Sequence, residues 1–329
     1  MQKNFNFWKA VIGKLPAFIR CSPFAFHPKQ AYLSAMSETN VPFLKMNGLG
    51  NKIIVADLRS SARRVTGEAA QKIAENPATH FDQLMEITDA SEDSLDANIR
   101  IFNSDGSTAG ACGNGMRCVV THMADGGDQK DFLFRTAAGL LPANLKDDGQ
   151  VTVDMGSPRF RWDEIPLEEE FHDTTGIELQ IGPIDAPVLH TPSVANMGNP
   201  HAVFWVDGDV KDYDLERFGP LLENHPIFPD RANITVAKVV SPEHIVIRTW
   251  ERGAGITLAC GSAACAALVC AHRKGLTGRK ATVTVPGGDL QIEWTDKNRV
   301  LMTGPAEYEF SGLFNPETGE TILESVEAG

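Results

Sequence analysis

No stretch of this sequence approaches the roughly 18 to 20 uninterrupted apolar residues that a membrane-spanning helix needs, which points away from a helical membrane protein. Cysteine is scarce, with six in 329 residues, and no two of them form a Cys-x-x-Cys pair. That excludes a disulfide scaffold, a dithiol redox centre and a zinc knuckle, and it predicts a soluble protein of the reducing cytoplasm with no bound metal. Basic charge is in deficit: 30 Lys and Arg stand against 43 Asp and Glu, a net charge of -13. A large nucleic-acid footprint, which needs a basic face, is excluded on the same ground. Acidic residues are absent from the first 36 positions, which carry Lys3, Lys9, Lys14, Arg20 and Lys29 but no apolar run long enough for a secretory signal. Residues 1–41 are read as an N-terminal extension outside the fold, disordered or mis-started. A transit peptide and an upstream start ahead of Met36 are its two explanations.

What is present is a repeat. Ile99-Arg100-Ile101-Phe102-Asn103 returns in outline as Ile247-Arg248-Thr249-Trp250-Glu251, 148 positions on. The same offset superposes Gly50-Asn51 on Gly198-Asn199, Ala111-Cys112-Gly113 on Ala259-Cys260-Gly261, and Gly156 on Gly304. Matches at one fixed offset mark a duplicated domain. Copies are expected at 42–156 and 190–304, the intervening 157–189 being assigned with the second domain (157–304), and a strand from about 305–315 could return to the first.

Each copy follows one local plan. A β-branched or aromatic run (98–102, 245–250) predicts a strand, and a glycine-bearing turn follows it. Ala-Cys-Gly comes next, and then a helix. Met116, Val119, Val120 and Met123 recur with helical spacing before Gly126-Gly127 ends the run. The second helix, 262–274, is almost entirely small or apolar, the mark of a buried helix. Further strands are expected at 132–135, 151–155, 282–285, 290–294 and 299–303, with Gly287-Gly288 as a hairpin turn. The predicted fold class is α+β, with two pseudo-symmetric domains, each a curled β-sheet wrapped round a central helix.

Cys112 and Cys260 then stand at matching helix starts. Unpaired N–H groups and the helix dipole favour a thiolate there, and a pKa moved down from about 8.5 toward neutrality is expected. Two matched thiols suit inversion of a carbon, which requires a base on one face and an acid on the other. Cys21, Cys118, Cys265 and Cys270 are read as ordinary buried cysteines.

The runs Lys45-Met46-Asn47-Gly48-Leu49-Gly50-Asn51, Asn103-Ser104-Asp105-Gly106, Ala111-Cys112-Gly113-Asn114-Gly115-Met116-Arg117-Cys118, Met197-Gly198-Asn199-Pro200-His201, Trp250-Glu251-Arg252-Gly253 and Ala259-Cys260-Gly261-Ser262 resemble, in order, the motif series of the diaminopimelate epimerases. The resemblance implies cofactor-independent conversion of LL- to meso-diaminopimelate, with Cys112 and Cys260 as the acid/base thiols and His201 and Glu251 assisting them. It implies that backbone N–H groups of Gly113, Asn114, Gly261 and Ser262 hold the carboxylate at the reacting centre. It implies further that Asn51, Gln83, Asn103, Asn199, Asn233 and Arg252 bind the substrate, several at its distal end, and a homodimer is compatible with the pattern. Lys52, Ile256 and Ser262-Ala263 depart from the family's usual residues. Two other readings stay open: a proline or hydroxyproline racemase on the same fold, and a non-catalytic thiol switch or binding protein. Facing thiols also raise the expectation of an inactivating disulfide if their Cα atoms approach within about 7 Å.

Overall fold

A computed structural model describes residues 39–323. The expectations for residues 1–36, Cys21 included, lie outside the described residues. The sheet begins at Val41, one position ahead of the expected boundary.

The first half comprises β1 (Val41–Gly48), β2 (Asn51–Asp57), α1 (Gly67–Glu75), β3 (Gln83–Thr88), β4 (Ala97–Asn103), β5 (Thr108–Ala109), α2 (Gly113–Ala124), β6 (Asp131–Thr136), β7 (Gly139–Leu145) and β8 (Val151–Asp154). A connecting segment carries the two-stranded ribbon β9 (Gln180–Ile181) and β10 (Leu189–His190). The second half comprises β11 (Ser193–Asn196), β12 (Pro200–Trp205), α3 (Leu215–Glu223), β13 (Asn233–Ser241), β14 (His244–Glu251), β15 (Gly255–Ile256), α4 (Gly261–Arg273), β16 (Lys280–Val285), β17 (Gly288–Trp294) and β18 (Val300–Gly304). β19 (Glu307–Phe314) and β20 (Thr321–Leu323) follow.

The pairings repeat with the elements. β2 runs parallel to β3 and β12 parallel to β13, while β3–β4 and β13–β14 are antiparallel. β4 then pairs with β6 in parallel, as β14 does with β16, and each half closes on an antiparallel meander, β6–β7–β8 and β16–β17–β18. β8 pairs antiparallel with β18, Val153 opposite Met302, so the two halves share one sheet. The fold is α+β and duplicated.

Each half curls round one helix. α2 buries Met116, Cys118, Val119 and Val120 against Val55, Met85, Ile99 and Phe134 of the surrounding strands. α4 is enclosed on every side because its residues are small: Ala263 through Ala271 are all fully buried. It ends where Gly275 takes φ 73°, with Gly275 N–H bonded to His272 O and Leu276 N–H to Ala271 O, a Schellman-type stop.

Two expectations shift in detail. The β16–β17 turn is Pro286-Gly287, since Gly288 already pairs with Val285. α4 begins one residue early, at Gly261. The connecting segment packs on the second half, Ile165, Leu167, Ile177, Leu179 and Leu189 sharing a core with Phe204, Leu215 and Leu222. The returning strand β19 pairs along β1, Val41 opposite Phe314, and lays Phe310 and Phe314 edge-on against Phe43.

Candidate active site

Cys112 is the N-cap of α2 and Cys260 the N-cap of α4, both with extended backbone. Cys112 Sγ takes the place of the usual capping oxygen, accepting the Gly115 N–H at 3.1 Å, and its thiol donates to Gln83 Oε1 at 2.7 Å. Cys260 makes no such cap bond; its Sγ lies 3.5 Å from Ser262 Oγ.

The two helix starts abut. Asn114, in the first turn of α2, donates from Nδ2 to the carbonyl of Ala259 at 3.1 Å, one residue before Cys260. Met155 and Met302, at the β8–β18 joint, press on both helices. A Cβ on Gly113 would come within 2.6 Å of Met302 Cε and 2.8 Å of Met155 Sδ, and one on Gly261 within 2.8 Å of Met302 Sδ. The glycine after each cysteine therefore answers first to this packing. The β1–β2 turn, Leu49-Gly50, adds a wall: a Cβ on Gly50 would meet Leu258 at 2.7 Å, so this tip is seated on the second half just ahead of Cys260.

Glu251 ends β14 beside both thiols. Its charge acts on the thiols of both Cys260 and Cys112, and Thr257 Oγ1 donates to its Oε1. Burial raises the Glu251 pKa above the ordinary carboxylate value. The turn carrying it is held by Glu223, a buried carboxylate that accepts from Trp250 Nε1 at 2.7 Å and from Gly253 N at 3.0 Å.

The expected downward shift of the thiols is not what the structure gives. Burial pushes Cys112 up to about 11, the Gly115 N–H and Arg117 opposing it only in part, and burial together with the Glu251 charge raises Cys260 well above its ordinary value. The helix end acts as supposed, but desolvation of a charged sulfur outweighs half a unit of dipole charge. At neutral pH both are thiols. Alkylation of Cys112 by iodoacetamide is accordingly expected to quicken about tenfold per pH unit between pH 8 and 10, since the thiolate fraction below the pKa grows in that proportion. A rate that levels off near pH 8 would contradict this.

His201 is fully buried in β12. Its Nε2 is 2.8 Å from Asn199 Oδ1, and its Nδ1 is buried without a hydrogen-bond partner. Its hydrogen bond thus runs to Asn199. Burial, with the Arg252 charge, lowers its pKa to about 3, so the ring is neutral under physiological conditions. Asn51 donates to Asp82 at 3.1 Å, and its Oδ1 is likewise buried and unpartnered. Unsatisfied buried polar atoms at matching hairpins suit a polar ligand. Gln83 Nε2 lies 3.5 Å from Asn103 Oδ1, and Asn103 in turn donates to Ser107 Oγ. Asn233 accepts the Arg252 N–H at 3.0 Å, and the Arg252 guanidinium donates to Asp230 O at 2.8 Å. Lys52 is exposed and gives its N–H to Asp82; Ile256 lies in β15.

Sequence reasoning missed Asp82, Thr257, Glu223 and Arg117. Asp82 immediately precedes Gln83, but Glu223, at the end of α3, leaves no local trace of its link to the Trp250–Gly253 turn. Among the described residues, no three His, Cys, Asp or Glu side chains converge as a metal site would require.

The sequence profile of the diaminopimelate epimerase family matches residues 43–161 and 193–309. A protein of Chelativorans sp. called diaminopimelate epimerase is 64% identical over 277 residues, 84% of this chain and 94% of its own length. Proteins of the same name from Brucella anthropi and Rhizobium meliloti are 62% and 61% identical, covering 86% and 88% of this chain and 94% and 96% of theirs. Among solved structures, a putative phenazine biosynthesis PhzC/PhzF protein of Clostridium difficile superposes with TM-score 0.58 at 17% identity, covering 83% of this chain and 98% of its own. A hydroxyproline epimerase of Agrobacterium vitis gives TM-score 0.57 at 14% identity over 88% and 94%. At such identities, these two share the fold alone.

Proposed function

Because this chain belongs to the diaminopimelate epimerase family, we infer that it interconverts LL- and meso-diaminopimelate, an isomerisation that serves lysine and peptidoglycan precursor biosynthesis. The observation that carries the mechanism is the meeting of two helices that each start at a cysteine, beside the carboxylate of Glu251. Both thiols start protonated. Glu251 accepts the Cys260 proton, and the resulting thiolate removes the proton from the substrate α-carbon. The electron pair left there spreads into the adjoining carboxylate, where the N–H groups of Gly113, Asn114, Gly261 and Ser262 receive the charge. Cys112 delivers its proton to the opposite face and, left as a thiolate, regains one from Glu251, which restores both thiols; the reverse reaction exchanges the roles.

The remaining residues are proposed to bind and orient. Arg252 offers a planar fork to the distal carboxylate. Asn51, Gln83, Asn103, Asn199 and Asn233 read the amino-acid groups with amides that both donate and accept. Neutral His201, with its free Nδ1, assists near the reacting centre. This distal recognition is what separates the reading from a proline racemase, whose substrate has no second amino-acid end.

The reading extends to two domains divided near residues 156–157, supported by the β8–β18 joint. It also includes a cytoplasmic setting, in keeping with the five cysteines among the described residues being free, and a homodimer, which sedimentation of the purified protein would test. Among the described residues, no helix is long and apolar enough to cross a membrane.

Pure LL-diaminopimelate turned over in deuterium oxide, without added metal or pyridoxal phosphate, is expected to acquire one deuterium at the inverted α-carbon. Turnover that needs either additive, or inversion with full retention of the original hydrogen, would overturn the two-thiol reading.

A further inference from the structure

Among the described residues, Arg117 is the largest side chain that is fully buried. It lies on α2, one turn after Cys112, among Met116, Cys118 and Val119, where an apolar residue is expected. Its bonds go to neutral groups: Nε donates to Pro305 O at 2.9 Å, Nη1 donates to Asn114 Oδ1 at 2.9 Å, and Met302 Sδ stands 3.8 Å from Nη1. Nη2 is buried without a partner. Room for the guanidinium is made by two glycines, since a Cβ on Gly48 would lie 3.3 Å from Nη2 and one on Gly304 3.4 Å from Nε.

These contacts form a chain. Pro305, at the exit of β18, is bonded to Arg117, Arg117 to Asn114, and Asn114 to Ala259, the residue before Cys260. One side chain thereby ties the start of the Cys112 helix to the start of the Cys260 helix and to the joint between halves. A buried guanidinium bonded only to neutral groups is costly to hold; a thiolate at Cys118 or, next in strength, at Cys112 would compensate it, and Arg117 in turn favours the thiolate of Cys112.

We propose that Arg117 is a positioning residue for the inversion: through Asn114 it fixes the separation of the two thiol-bearing helix starts, and its charge stands ready for the Cys112 thiolate. This rests on the two-thiol reading above. Methionine at 117 keeps length and apolar packing, and such replacements of buried charge are commonly tolerated. Lysine keeps the charge but cannot hold Asn114 and Pro305 with one rigid fork.

Wild type, Arg117→Met, Arg117→Lys, Cys112→Ala and Cys260→Ala are to be compared in the full chain, with folding followed by circular dichroism. In Arg117→Met, kcat is expected to fall about 100-fold with KM within about threefold, the loss typical of reacting groups displaced by about 1 Å. Iodoacetamide labelling of Cys112 at pH 9, read by mass spectrometry, should slow about tenfold. Arg117→Lys should regain the labelling rate but not kcat. A wild-type kcat in Arg117→Met, or a loss of kcat with labelling unchanged, overturns the proposal. Should Arg117→Met not fold, Asn114→Ala and Arg117→Lys/Asn114→Ala serve in its place. If both residues act through one link, the double variant loses no more than the worse single, and multiplied losses refute the link. Activity surviving in Cys112→Ala or Cys260→Ala strikes at the two-thiol reading itself and is seen separately.

Discussion

Cys112→Ala and Cys260→Ala are each expected to lower kcat for epimerisation by about 1,000-fold or more, with substrate affinity by calorimetry changed little. General acid or base catalysis contributes roughly 100- to 10,000-fold, and an inversion uses one thiol in each role, so either loss leaves one face of the carbon without its proton carrier. Cys112 is partly buried with its thiol on Gln83, and Cys260 is buried beside Glu251. Alanine fits both sites without strain, because both already carry a Cβ in extended backbone. The paired measurement separates an enzyme from a binding protein. A binder keeps its affinity and has no turnover to lose, whereas near-normal turnover in either variant removes the two-base mechanism altogether.

Glu251→Gln is expected to lower kcat about 100-fold while making the thiols easier to alkylate. The carboxylate now has two effects that pull apart. As an acceptor it takes the proton of Cys260; as a charge it disfavours the thiolate at both cysteines. Glutamine cannot accept that proton, so the reaction slows, yet it removes the repulsion, so iodoacetamide reacts faster at a given pH. The pH profile carries a further sign. Burial raises the Glu251 pKa, so wild-type kcat/KM should decline as the pH falls through a value above the ordinary 4.3 of a glutamate. The variant should lack that decline. Parallel falls in turnover and in alkylation would refute the role assigned to Glu251.

The duplication was legible because its spacing is nearly rigid: α1 and α3 start at Gly67 and Leu215, and α2 and α4 at Gly113 and Gly261. Where loops differ, the offset fails. Gln83 pairs with Asn103 in β3–β4 and Asn233 lies at the start of β13, 150 positions on, so that correspondence needs strand pairing to be seen. The placement of Cys112 and Cys260 at helix starts was readable from glycines and apolar periodicity. Their acidity was not, since a local pattern displays the N-cap but not the depth of burial that opposes it. Arg117 was quoted within a motif yet given no task; the available signal was a charge in the midst of the apolar run around Met116 and Val119. Glu223 and Trp250 are 27 residues apart, and only the packing of α3 on β14 makes them neighbours.

The pairing of β1 with β19 bears on the order in which the molecule can be finished. As the chain leaves the ribosome, residues 41–154 emerge first and can assemble round α2, but β1 then lacks its outer neighbour and Phe43 lacks Phe310 and Phe314. Those arrive only after the entire second half has been synthesised. The half translated first is thus the last to be completed, and through most of synthesis its open strand edge is a risk that the nascent chain must carry.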